Sequence, residues 1–162
     1  MFKNKKSIFV LVAGIFSIFG LIPGGLAGDR TAFHCSLGLD GRAMARGELV
    51  LSEDGSALQY KLEVHNVEDI TMAHLHLGKA GKIGTPVVWL YPDAPPPKLI
   101  PGLFKGVLAE GTITQKNLIG PMRGKRLPAL IAEIRAGNVY VNIHTRTHAR
   151  GNICGPVYLA EE

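Results

Sequence analysis

From Leu58 to His65 the chain alternates: Leu58, Tyr60, Leu62 and Val64 are apolar, while Gln59, Lys61, Glu63 and His65 are polar. A period of two puts one set on each face of a β-strand. Similar runs at 31–39, 43–52, 71–77, 85–91, 103–113, 138–144 and 152–159 bring the predicted strands to eight. Glu53-Asp54-Gly55-Ser56 reads as a hairpin turn between the second and third. A glycine-rich stretch over 79–85 suits a loop after the fourth strand. Asp93-Ala94-Pro95-Pro96-Pro97 reads as a stiff external loop, because proline donates no hydrogen bond to a sheet. One helix is predicted at 127–136: Pro128 fits its first turn, Leu130, Ile131 and Ile134 cluster on one side, and Gly137 stops it. The pattern predicts an all-β sandwich with one short helix, without internal repeat or second domain.

The N-terminus follows a different pattern. Lys3, Lys5 and Lys6 precede an almost wholly apolar stretch from Ser7 to Ile22, and Pro23-Gly24-Gly25 then breaks any helix. Small residues around Ala27 offer a cleavage site before Gly28. The apolar stretch falls short of the ~18–20 residues that span a bilayer comfortably. Residues 1–27 are therefore read as a signal peptide and 28–162 as the mature domain, periplasmic or secreted, with no stable membrane anchor after cleavage. Removing the three lysines takes the formal charge from +5 to +2. A nucleic-acid surface is then poorly supported, and Lys116, Arg123, Lys125 and Arg126 read as a solvated basic loop.

Candidate chemistry lies in two strands. In Thr71–Leu77, Ala73, Leu75 and Leu77 share one face, and His74 and His76 the other. In Asn138–His144, Val139, Val141 and Ile143 share one face, and Tyr140, Asn142 and His144 the other. Burying the apolar faces in one core turns three imidazoles outward together. If the strands are neighbours, His74, His76 and His144 can meet on one copper or zinc ion, with nitrogens roughly 2.0–2.1 Å from a bound zinc. Their nearest nitrogens should then lie about 3–4 Å apart, somewhat more without the ion. Tyr140 and Asn142 are placed to orient the rings. His148 and Cys154 are candidates for a fourth ligand. Arg146 and Arg150 could steer anions toward the site. His34 is a remote candidate, and His65 reads as solvated. The alternative assigns the histidines to a hydrogen-bonded patch with Tyr140, Asn142 and Thr145 that only supports the fold.

Met72-Ala73-His74-Leu75-His76, followed by Gly81 and Pro86-Val87-Val88-Trp89-Leu90, resembles the histidine motif of the chordin-type (CHRD) domain. Gly106-Val107-Leu108, Gly111-Thr112-Ile113-Thr114 and Leu118 resemble its middle segment, and Ala136 to Thr145 its most distinctive stretch. The resemblance implies a Greek-key β-sandwich in secreted or cell-surface proteins, and no settled activity. Gly151-Asn152-Ile153-Cys154-Gly155-Pro156 stands where the family has a pattern like Gly-Glu-Ile-Arg-Gly-Gln, so roles of that acid, base and amide do not carry over. A weaker likeness to copper–zinc superoxide dismutase, also a Greek-key sandwich, lies in the His-x-His pair, a late third histidine and the Cys154-Gly155 pair. No counterpart to that enzyme's zinc loop is present.

Cys35 and Cys154, near opposite ends of the mature domain, are read as a disulfide, which export permits. Alternation opposes it: Cys35 falls with the inward residues and Cys154 with the outward ones. Cys154 would otherwise stand on the histidine face as a thiolate. No serine-nucleophile elbow, paired carboxylates or phosphate-binding loop is present. Three functions remain: a mononuclear copper or zinc site for metal handling or redox chemistry, a metal-free module binding an extracellular or periplasmic protein, and a redox enzyme acting on a small oxygen species. Enzyme activity has the least support.

Overall fold

A computed structural model describes residues 32–39, 43–151 and 153–160. The signal-peptide reading, its cleavage site and the side chain of His34 lie outside the described residues. Among those described there are seven strands: β1 (Ala32–Leu39), β2 (Ala43–Leu51), β3 (Leu58–Leu77), β4 (Thr85–Tyr91), β5 (Ile100–Ile113), β6 (Val139–Thr145) and β7 (Ile153–Leu159). Helix α1 (Leu127–Arg135) precedes β6. Every pairing is antiparallel. The order β2-β1-β7-β6-β3-β4 curls back on itself, because β2 also pairs with β3. The result is an all-β, sandwich- or barrel-like fold, consistent with the all-β sandwich that the alternation implied.

Seven strands replace the expected eight because the third and fourth are one. β3 continues through 66–70, where Val67 pairs with Phe104 and Glu68 with Leu103 of β5. Asn66 (φ 56°) and Asp69 (φ 52°) adopt left-handed backbone there, and register shifts flank them. Such bulges bend a strand without ending it. The first half of β3 therefore lies between β2 and β5, and its second half between β6 and β4.

One face of these strands forms a continuous apolar core with Leu58, Leu62, Ile70, Leu75, Val141 and Ile143. Helix α1 closes one side of it with Leu127, Leu130, Ile131 and Ile134. Gly137 follows the helix at φ 67°, the left-handed conformation that ends a helix with little strain in glycine. The chain thus enters β6 directly from a fixed helix end, with Asn138 tied to Glu133 through side chain and backbone.

Candidate metal centre

The second half of β3 and the whole of β6 are adjacent and antiparallel. His74 lies opposite Asn142, His76 opposite Tyr140, and His144 opposite Met72. Directly paired residues share a face, so the three imidazoles project to one side, away from Leu75 and Val141. They do not reach solvent, however: His74, His76 and His144 are 4, 6 and 6 % exposed. The expected outward face is instead a second, polar interior. The turn after β3 covers part of it through Gly84, and the turn after β6 another part through Ala149 and Arg150.

The three rings offer ligand nitrogens that all lie within 4.8 Å of one another. His74 Nδ1 and His144 Nε2 are 3.3 Å apart. His76 Nδ1 faces the Gly84 carbonyl at 3.2 Å, and His144 Nδ1 faces the Ala149 carbonyl at 2.9 Å. A carbonyl only accepts, so each Nδ1 carries the proton and each Nε2 keeps a lone pair. His76 Nε2 is buried with no hydrogen-bond partner, as is His74 Nε2. Burial pushes His74 down to about 3, and the neighbouring His144 and His76 add to the shift. Burial also lowers His76 and His144, against the raising effect of the Gly84 and Ala149 carbonyls. At neutral pH the rings are uncharged, the form that binds a metal.

Tyr140 lies beside the His76 ring. Its hydroxyl donates to the Lys82 carbonyl at 3.0 Å, accepts from Gly84 N–H at 3.0 Å, and lies 3.3 Å from His76 Nδ1. Asn142 does something different. Its amide nitrogen donates to the Arg150 carbonyl at 3.3 Å, while its Oδ1 is buried without a partner. A Cβ at Gly151 would overlap that amide, and Gly151 sits at φ 75°. Glycine there lets the turn lie directly on Asn142.

The remaining candidates separate. His148 is exposed and held by the Thr145–Thr147 turn, its Nδ1 3.0 Å from Thr147 Oγ1, so it is not among the clustered ligands. Arg146 extends away to Asp69 at 3.6 Å. Arg150 is exposed and borders a cleft that reaches His76. His65 is half-buried at the end of the first half of β3, opposite Met44.

The disulfide reading is corrected: Cys35 and Cys154 are both free. Cys35 pairs in register with Val157, three residues beyond Cys154, so the thiols point to opposite faces. Cys35 is buried against Gly47 in the apolar core, where burial pushes its thiol up to about 12. Cys154 lies opposite Asn142, on the histidine face, but outside the three-nitrogen cluster.

Sequence reasoning missed Trp89, the sole tryptophan, whose ring meets His74 edge-on with centroids 4.2 Å apart. Uninterrupted pairing from Leu77↔Thr85 would place Trp89 opposite Ala73, on the core side. A register shift between Leu75 and His76 places it opposite His74 instead. The signal that could have found it is Pro86 in the strand, since proline in a sheet marks an edge or a bulge.

The CHRD domain family model matches residues 36–157, and the chain belongs to that family. CHRD domains are typically extracellular. Neither the comparison with curated proteins nor that with solved structures returned a match. Among the described residues no helix is long and apolar enough to cross a membrane.

Proposed function

We propose that the protein is an exported CHRD domain that holds one copper or zinc ion on His74, His76 and His144, for handling or redox chemistry of the metal. One observation carries the reading: three buried, neutral imidazoles converge within 4.8 Å, and two of them are fixed by backbone carbonyls with Nε2 left as a lone pair. A purely structural role accounts for them less well. It pairs His74 with His144 but leaves His76 Nε2 without a donor, at a cost of about 1–3 kcal/mol for a buried unsatisfied group. A metal ion gives that nitrogen a partner. Three protein ligands also leave a position for water or another ligand, as in zinc sites that do chemistry. Export with loss of residues 1–27 belongs to the same proposal and accords with the typical location of the family.

The test is metal analysis of the mature protein after reconstitution with copper and with zinc, beside a His74→Ala/His76→Ala variant. One ion per parent chain and none in the variant is expected. Trp89 adds a second readout: bound Cu(II) beside His74 should quench its fluorescence, whereas zinc should not. No bound ion in the parent overturns the reading.

A second reading, a metal-free interaction module, draws on β5. Among the described residues this strand pairs only with β3 and presents Leu103 at 71 % and Val107 at 43 % exposure. An unpaired edge with exposed apolar side chains is a template for another chain.

A further inference from the structure

His74, Asn142 and Cys154 lie in one row across β3, β6 and β7, since Asn142 is the register partner of both others. Two strand spacings separate the Cys154 backbone from that of His74, roughly 10 Å along the sheet. Asn142 and Cys154 of this row line a cleft of ≈ 650 Å³ together with His76, Tyr140, Lys82 and Arg150, so the cleft joins the thiol to the histidine cluster at His76. Cys154 is free and only half-buried. His76, 6 % exposed, lines the same cleft, and its Nε2 is buried without a partner. Lys82 and Arg150 give its rim two cations. Thiolate is a soft ligand that selects Cu(I), whereas imidazole suits several metals.

We propose that Cys154 is the capture ligand through which Cu(I), delivered by a small anionic thiol carrier, passes to the three-histidine site. This rests on the metal reading above. In the first exchange a carrier sulfur–copper bond breaks, a Cys154 Sγ–copper bond forms, and the Cys154 proton goes to the departing carrier thiolate. In the second, imidazole nitrogen–copper bonds form, the Cys154–copper bond breaks, and Cys154 takes a proton from water. Copper remains monovalent throughout, so no oxidant or reductant is needed. His76 is the acceptor ligand that shares the cleft with Cys154, and Asn142, the register partner of Cys154, lines the cleft beside them. The rim cations hold the carrier's carboxylates.

Anaerobic loading of the apoprotein with the copper(I)–glutathione complex tests this, with uptake read as chain-bound copper against time. Cys154→Ser should load several times more slowly than the parent, while its final stoichiometry and its Cu(I) affinity at equilibrium stay the same. Cys154→Ala should behave likewise, and near-ultraviolet circular dichroism confirms that both variants are folded. Lys82→Ala/Arg150→Ala should slow loading from glutathione but not from copper(I) in acetonitrile, a neutral carrier. Equal rates for parent and both Cys154 variants would overturn the proposal. A large fall in their equilibrium affinity would also overturn it, by making Cys154 a resident ligand. A parent that takes up no copper from either carrier refutes the metal site itself, and the capture role with it.

Discussion

β3 and β6 carry two interiors, one on each face. Leu75 is fully buried on one side, and His74 and His76 on the other are 4 and 6 % exposed. The degree of burial is nearly equal; the chemistry is not. On the leucine side nothing needs a hydrogen bond, and stability comes from area removed from water and close packing. On the histidine side each ring nitrogen needs a partner, and the turns covering it supply carbonyls to only some of them. The apolar face makes the fold, and the polar face holds an arrangement that the fold alone leaves incomplete. The comparison also sorts the two cysteines: Cys35 belongs to the first interior and Cys154 to the second.

Substitutions on the two faces should therefore have opposite signatures. Leu75→Ala should lower stability by about 2–5 kcal/mol in the apoprotein, as other buried leucines do. Denaturant unfolding measures it, and the bound metal should offset part of the loss by mass action. His76→Ala should instead abolish stoichiometric metal binding while changing apoprotein stability far less. A loss of stability as large as that of Leu75→Ala would make His76 a packing residue.

Tyr140→Phe should have a smaller effect. It removes the hydroxyl that accepts from Gly84 N–H and donates to the Lys82 carbonyl. Metal affinity should fall about 10–100-fold, as for other residues that orient a ligand, with the ion still bound at saturation. Competition against a chelator of known affinity reads this directly.

Acidity separates the faces without mutation. In the unfolded chain the histidines take up protons near 6.5, while in the folded apoprotein burial holds His74 down to about 3. Between these values the unfolded state binds more protons, so stability must fall as pH drops through that window. His76 and His144 are shifted in the same direction. Unfolding at pH 7, 5.5 and 4 should show a progressive loss, and replacing His74 by a neutral residue should flatten it. A loss equally steep in that variant would trace it to other groups.

The smallest expected effect is on thiol labelling. Cys154 should react with a maleimide in the native state, whereas Cys35, buried with its thiol pushed up to about 12, should react only on unfolding. Equal native reactivity would contradict their assignment to different interiors.

Much of this was legible in the alternation. It gave the strands carrying His74, His76 and His144 and their shared face, because a period of two on a half-apolar strand has few other solutions, while Pro128, the Leu130, Ile131 and Ile134 cluster and Gly137 marked the helix before β6. Features that break the period were not legible. Asn66 and Asp69 bend β3 where a strand end was expected. The shift between Leu75 and His76 turns Trp89 toward His74. The burial of the histidine face depends on the turns at 78–84 and 146–151 folding over it, which no periodicity encodes. Cys154 is the reverse case: alternation had already placed it away from Cys35, and that parity outweighed the argument from export.

The central claim is that three imidazoles meet on one ion, and X-ray absorption at the metal edge tests it most directly. For parent protein loaded with one equivalent of zinc or copper, the account predicts three imidazole nitrogens in the first coordination sphere, at roughly 2.0–2.1 Å for zinc, with one fewer in His144→Ala. A first sphere of oxygens alone, or one unchanged in His144→Ala, would contradict it.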